Sequence, residues 1–194
     1  VDYDRLHNLT FDALYGCLAL LTFVVTERFL YFLYLAVRAS RVRRVILAAG
    51  ADPVGDATAI AGADLISRSV RAYIDFQRHP PFKRERVDDL SNALILQVQE
   101  GINARLWVVD TIVTAAPLLG LLGTILGIMQ TFTALAAGGV SDPAAVSRGI
   151  GTALIATAIG IVTALSGLLG LNLLSRFGEH LTDRFKTFIL RTTL

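Results

Sequence analysis

Apolar residues gather in three long runs, and the charged residues lie between and beside them. Thr111 to Ala137 and Gly149 to Leu174 contain no Asp, Glu, Lys or Arg. Each run exceeds the about 20 residues that a helix needs to cross a hydrocarbon core about 30 Å thick. Between them GGVSDPAAVSR brings the helix breakers Gly138, Gly139 and Pro143, with Asp142 and Arg148, which need water. The two runs are therefore expected to form a hairpin of transmembrane helices with its turn outside the bilayer.

The first run is less clean. Ala13 to Thr26 is apolar, Glu27 and Arg28 interrupt it, and FLYFLYLAV resumes. The expected span is about Phe11 to Leu35, with Tyr31 and Tyr34 at the interface where aromatic residues anchor helices. Arg28 is expected to snorkel with Glu27 beside it; the rival reading makes Glu27 part of a proton relay. Acids at the start, in VDYDRLHNLT, stand where a signal peptide has basic residues, so this run is read as a retained span.

Basic residues near the span ends set the orientation, because Lys and Arg accumulate on the cytoplasmic side. Arg38, Arg41, Arg43 and Arg44 follow the first span, Arg105 precedes the second, and Arg176, Arg184 and Lys186 follow the third. The opposite side has Asp2, Asp4, Arg5, Asp12 and the short turn. The expected layout is a periplasmic N-terminus over 1–10, transmembrane helices over 11–35, 108–137 and 149–174, a cytoplasmic helical region over 36–107, a periplasmic turn over 138–148 and a cytoplasmic C-terminal helix over 175–194.

Within the cytoplasmic region, Asp52-Pro53 and His79-Pro80-Pro81 break what otherwise reads as two or three amphipathic helices. Val87, Leu90, Leu94, Val98, Ile102 and Leu106 recur every three or four residues and so share one helical stripe. That stripe is expected to continue the second span past the membrane surface and to pack on FGEHLTDRFKTFIL, with a partner-binding face as the alternative use.

Composition agrees with a membrane protein. Across 194 residues, 54% are hydrophobic and the mean hydropathy is +0.58, above the apolar share of soluble domains. A net charge of +2 with interspersed signs gives no basic field for nucleic acid. Cys17, alone, forms no intrachain disulfide.

No enzyme constellation is present. His7, His79 and His180 lie in separate segments without partners at metal-ligand spacing, and the chain has no GxGxxG, P-loop or GxSxG. Neither a metal nor a cofactor is expected.

The composition inside the hairpin is more informative. Gly120, Gly123 and Gly127, with Ala156, Gly160 and Ala164, form small-residue stripes that let helix backbones approach closely. This predicts helix packing in a bundle or oligomer. The threonines, Thr114, Thr124, Thr131, Thr133, Thr152, Thr157 and Thr163, are ambiguous, since an intramembrane Thr can bond its own backbone. If they line a proton path, the carboxyl that carries the proton must come from a second protein, because the spans hold no acid and Asp110 lies only at the entrance of the second.

APLLGLLGTILGIMQTF, Ala116 to Phe132, followed after a turn by GIGTALIATAIGIVTALSGLLGLN, resembles the signature hairpin of the MotA/TolQ/ExbB proton-channel family, in its ExbB and TolQ branch. The three-span layout and the ERF at Glu27 to Phe29 are similar too. The resemblance implies an all-α membrane protein with helical cytoplasmic extensions, in a pentamer around a single-pass partner of the ExbD/TolR type whose transmembrane Asp carries the proton. It also implies a TonB-like or TolA-like transducer that receives mechanical work, and an inner-membrane location. By similarity Thr124 and Thr157 occupy pore-lining positions, with Thr152 also on the proton pathway where that branch commonly has Glu. Asn172 matches a polar position toward the cytoplasmic end of the third span; Asp110 and Thr163 are further polar candidates. Ser166 replaces a Pro of that branch, which predicts a straighter third helix. A non-conducting membrane scaffold is the alternative from another class.

Overall fold

The computed structural model describes residues 3–48, 65–77, 84–138 and 143–192, all of them helical apart from a turn at residues 104–105. In chain order these are α1 (Tyr3–Ala48), α2 (Leu65–Gln77), α3 (Arg84–Asn103), α4 (Leu106–Gly138) and α5 (Pro143–Thr192). The breakers at Asp52-Pro53 and at His79-Pro80-Pro81 lie outside the described residues, as do residues 139–142 between the last two helices.

Three stretches are long and apolar enough to cross a membrane: Arg5–Val37, Leu106–Ala136 and Val146–Thr187, with mean hydropathies of 1.8, 2.1 and 2.2. The chain is thus an all-α membrane protein with three spanning helices. Lipid explains why segments so rich in glycine stay helical: without water, every backbone N–H and C=O must be satisfied inside the segment. The 50 residues of α5 extend about 75 Å at about 1.5 Å per residue, more than twice the hydrocarbon thickness.

The chain divides into two compact units. One comprises Val1–Thr26 with Arg105–Asn172, the other Glu27–Ala104 with Leu173–Leu194. In the first, Leu21, Val24, Val109, Ile112 and Ala116 form a buried cluster, with Cys17, Val25, Val108, Val113 and Leu171 packed against it. Cys17 is a half-buried free thiol.

In the second unit the amphipathic stripe is found buried at Val87, Leu94, Val98 and Ile102. Gly178 of α5 faces Ile102: a Cβ there would lie 2.7 Å from the isoleucine Cγ2. Gly101 likewise faces Leu65 of α2. The expected continuous helix from the stripe into the second span is not formed. Arg105 adopts φ 68°, a left-handed conformation unfavourable to a residue with a Cβ, and α4 begins afresh with the Val108 N–H on the Arg105 carbonyl at 3.1 Å.

Arg28 also differs from expectation. Its side chain does not snorkel but is buried, 5% exposed. Its Nε lies 3.4 Å from Glu27 Oε2, without hydrogen-bond geometry, and its guanidinium sits 5.4 Å from the Tyr31 ring centroid. Stacking on an aromatic face and a carboxylate neighbour lower the cost of that burial.

Candidate functional site

The first unit contains the hairpin, and α4 and α5 approach closely where their glycines meet. A Cβ on Gly120 would lie 2.9 Å from the Ala156 carbonyl oxygen and 3.1 Å from Thr157 Cα. A Cβ on Gly160 would lie 2.6 Å from the Ala116 carbonyl oxygen and 3.1 Å from Gly120 Cα. Real Cβ atoms do not come so near to backbone, so glycine sets the separation of the two helices here. Gly123 and Gly127 continue the contact along α4 against the Cβ atoms of Ala156 and Ala153, at 2.7 and 2.8 Å from the positions their own Cβ atoms would take. Ala164 is half-buried farther along α5.

This approach brings Thr124 and Thr157 together. Their hydroxyls are hydrogen-bonded to each other across the helix contact. Thr157 Oγ1 also donates to the Gly120 carbonyl at 3.0 Å. Thr124 Oγ1 lies 3.1 Å from that same carbonyl and 3.3 Å from the Ala153 carbonyl. Each hydroxyl has one hydrogen. Two hydrogens are thus shared among two carbonyls and two hydroxyl oxygens, so more than one pattern satisfies the site. Both side chains are half-buried, which leaves the pair reachable from outside the hairpin.

The other candidates are elsewhere. Thr152 is exposed and bonds its own backbone, at 3.2 Å to the Arg148 carbonyl and 2.9 Å to that of Gly149. Asp110 and Asn172 are exposed, respectively about 21 Å from Thr124 along α4 and about 22 Å from Thr157 along α5 at about 1.5 Å per residue. Thr163 is fully buried, and its Oγ1 has no hydrogen-bond partner. Most remaining hydroxyls return to their own helix: Thr111 to Trp107 at 2.8 Å, Thr114 to Thr111 at 2.9 Å, Thr131 to Gly127 at 2.8 Å and Ser166 to Val162 at 2.8 Å. The Thr124–Thr157 pair therefore differs from its neighbours in bonding across helices.

One group was not singled out by sequence reasoning. A cleft of about 510 Å³ is lined by His7, Asn8, Phe11, Gln130, Thr131, Ala134, Arg148, Gly149 and Thr152. His7 is buried within it, 8% exposed. The available signal was a polar HNLT leading into the first apolar run, which does not by itself say what the imidazole meets. Among the described residues no group of His, Cys, Asp or Glu could hold a metal ion.

The sequence profile of the MotA/TolQ/ExbB proton channel family matches residues 63–187, which include the whole glycine-lined contact and both threonines. The chain belongs to this family. It is 36% identical over 107 residues to a biopolymer transport protein of Helicobacter pylori designated ExbB-like 2, covering 55% of this chain and 70% of that one. It is 29% identical over 117 residues to the biopolymer transport protein ExbB of Aquifex aeolicus, covering 60% of this chain and 78% of that one. It is also 36% identical over 109 residues to the Tol-Pal system protein TolQ of Pseudomonas aeruginosa, covering 56% of this chain and 47% of that one. These likenesses put it in the ExbB/TolQ-like branch of the MotA/TolQ/ExbB family. It is accordingly a multi-pass inner-membrane protein and a proton-channel-type, energy-transducing subunit of a transport family rather than of an enzyme family.

Proposed function

We propose that this chain is the stator subunit of an inner-membrane motor, in which Thr124 and Thr157 form the wall of a proton path. The carboxylate that carries the proton belongs to an ExbD/TolR-like single-pass partner with a transmembrane Asp, enclosed by a homo-oligomer of this chain, a pentamer. Proton flow does mechanical work on a TonB-like or TolA-like transducer. In this reading the N-terminus and the turn over 138–148 are periplasmic, and 36–107 and 175–194 are cytoplasmic.

The observation that carries the reading is the shared hydrogen bonding of Thr124 and Thr157. A protonated partner acid needs an acceptor, and each hydroxyl oxygen has lone pairs to offer while its hydrogen stays on Gly120 or Ala153. An ionised partner needs a donor. One hydroxyl can turn its hydrogen to the carboxylate while the other keeps the Gly120 carbonyl satisfied. The wall therefore follows the partner's protonation state by rotating two hydroxyls, without moving a helix. Thr152, Asp110 and Asn172 serve this path only secondarily, by holding water near its ends, and Thr163 is a further polar position along it. The test is Thr157→Val, which keeps the shape and removes the hydroxyl: retained assembly with impaired proton-driven function supports the reading, and unchanged activity in cells defeats it.

The second reading, a non-conducting scaffold, is favoured by one observation, that most of the span hydroxyls bond their own backbones. It requires that a partner lacking its Asp still supports the phenotype.

A further inference from the structure

The cleft of about 510 Å³ opens where the three spans end together. His7, Gln130 and Arg148 bring one side chain each from α1, α4 and α5. They lie two, six and two residues inside the span limits Arg5, Ala136 and Val146, about 3 to 9 Å along their helices at about 1.5 Å per residue. The cleft is therefore at the depth of the lipid headgroups. Thr131 fixes its floor: the residue is buried, its hydroxyl donates to the Gly127 carbonyl at 2.8 Å, and a Cβ on Gly149 would run into that oxygen. His7 closes one wall and is 8% exposed. Its ring stands edge-on to Phe11, with centroids 5.0 Å apart and planes at 75°. A Cβ on Gly127 would come within 3.1 Å of its Cε1, and Nδ1 is sealed from solvent without a hydrogen-bond partner. The side of the ring bearing Nδ1 and Cε1 thus faces the helices, and the edge left to line the cleft is the one bearing Nε2.

A buried N–H without an acceptor is a rarer orphan than a buried acceptor without a donor. The neutral ring is accordingly assigned its hydrogen on Nε2, where it donates into the cleft. The Asn8 and Gln130 amides and the Arg148 guanidinium offer further donors, and no lining residue carries a carboxylate. A fixed cation among neutral donors, with no acid, selects an anionic oxygen ligand. One turn deeper on α1, Tyr15 is 55% exposed and its ring centroid lies 6.4 Å from that of Phe11, so an aromatic column leads from the cleft toward the hydrocarbon. We propose that the cleft binds the phosphodiester headgroup of a phospholipid, with an acyl chain laid along Phe11 and Tyr15. Arg148 meets the phosphate charge, and His7, Asn8 and Gln130 donate to its oxygens. In the orientation given above, the lipid belongs to the periplasmic leaflet. One phosphate then ties the ends of α1, α4 and α5 together. The inference rests on the spanning helices and not on the proton path.

The test uses the protein purified from its membrane in detergent, as the assembly in which it occurs, and stripped of lipid. A phosphatidylglycerol with a diazirine on its headgroup is titrated in and photolysed, and labelled peptides are mapped. Labelling should concentrate on residues 5–15 and 146–152 and saturate. Phosphatidylglycerol and phosphatidylethanolamine, which share the phosphodiester, should compete; diacylglycerol with the same chains and equal concentrations of inorganic phosphate or of an acidic peptide should not. Arg148→Gln should raise the half-saturating concentration about 10- to 100-fold, through loss of a charge-assisted bond. His7→Phe keeps the ring and removes its nitrogens, so it should raise that concentration about 2- to 12-fold with no loss of thermal stability, which a role in packing alone would not produce. Arg176→Gln, an exposed cation far along α5, should leave it unchanged. Even labelling of the lipid-facing surface, or unchanged half-saturation in both cleft variants, overturns the proposal. Equal competition by diacylglycerol makes the cleft an apolar slot, and equal competition by phosphate or the peptide makes its ligand a free anion or a protein; each overturns the lipid assignment. If a variant disassembles, the competition series on the unaltered protein still decides.

Discussion

Thr124 and Thr157 touch hydroxyl to hydroxyl across the α4–α5 contact, and the Gly120 carbonyl lies 3.1 Å from the one and 3.0 Å from the other. Two hydrogens serving a larger set of acceptors give the pair a choice of patterns. In the proposed proton path, that choice would let the pair answer a carrier in either charge state.

Thr157→Val removes one of the two hydrogens and leaves Thr124 to satisfy Gly120. A hydrogen bond to a charged group is worth about 1.5–3 kcal/mol, so proton flux in vesicles should fall about 10- to 100-fold while the assembled mass stays the same. Thr152→Val should lower flux much less, because that hydroxyl is already bonded within its own helix.

Gly120→Ala should destabilise the protein by about 1–3 kcal/mol, since the new methyl meets backbone atoms of Ala156 and Thr157 that have no freedom to move aside. Gly151→Ala is the control. Nothing lies within 4 Å of its added carbon, and alanine favours a helix by up to about 1 kcal/mol. Thermal unfolding of both variants in detergent checks the contrast.

Thr163→Val should raise stability by about 1–3 kcal/mol, because it replaces an unpartnered buried hydroxyl by a methyl of nearly the same size. A denaturation midpoint reads the gain. If proton flux drops in the same variant, Thr163 holds water that the path needs.

Glu27→Gln should destabilise by about 1–3 kcal/mol, as it leaves the buried Arg28 without its carboxylate neighbour at 3.4 Å. Glu27→Gln combined with Arg28→Met should recover most of that loss, because no buried charge is then left over. A double-mutant cycle on thermal stability measures the coupling.

Much of this protein is legible along a single line of residues. The charge-free runs at Thr111–Ala137 and Gly149–Leu174 declare two spanning helices because lipid tolerates neither charge nor an unsatisfied backbone. The stripe from Val87 to Ile102 declares its buried face through a period that belongs to one helix alone. The wording of the hairpin also singles out Thr124 and Thr157. Periodicity is silent, however, on where a helix stops for reasons of backbone strain, and so the break at Arg105 was hidden within a continuous stripe. It is equally silent on which side chains burial will claim, and Arg28, at the end of an apolar run, reads as a residue that reaches for water.

What the sequence determined by itself is the three apolar spanning runs, their membrane character, their family and the small residues that permit close approach. Only the tertiary structure decided the register between α4 and α5, since it depends on which glycine of one helix meets which backbone atom of the other. That register puts Thr124 against Thr157 and leaves Thr152 in the cleft that His7 also lines. The physical reason is range: a hydrophobic period reflects neighbours three or four residues apart, whereas a shared carbonyl joins residues on separate helices and exists only once the backbones have closed on each other.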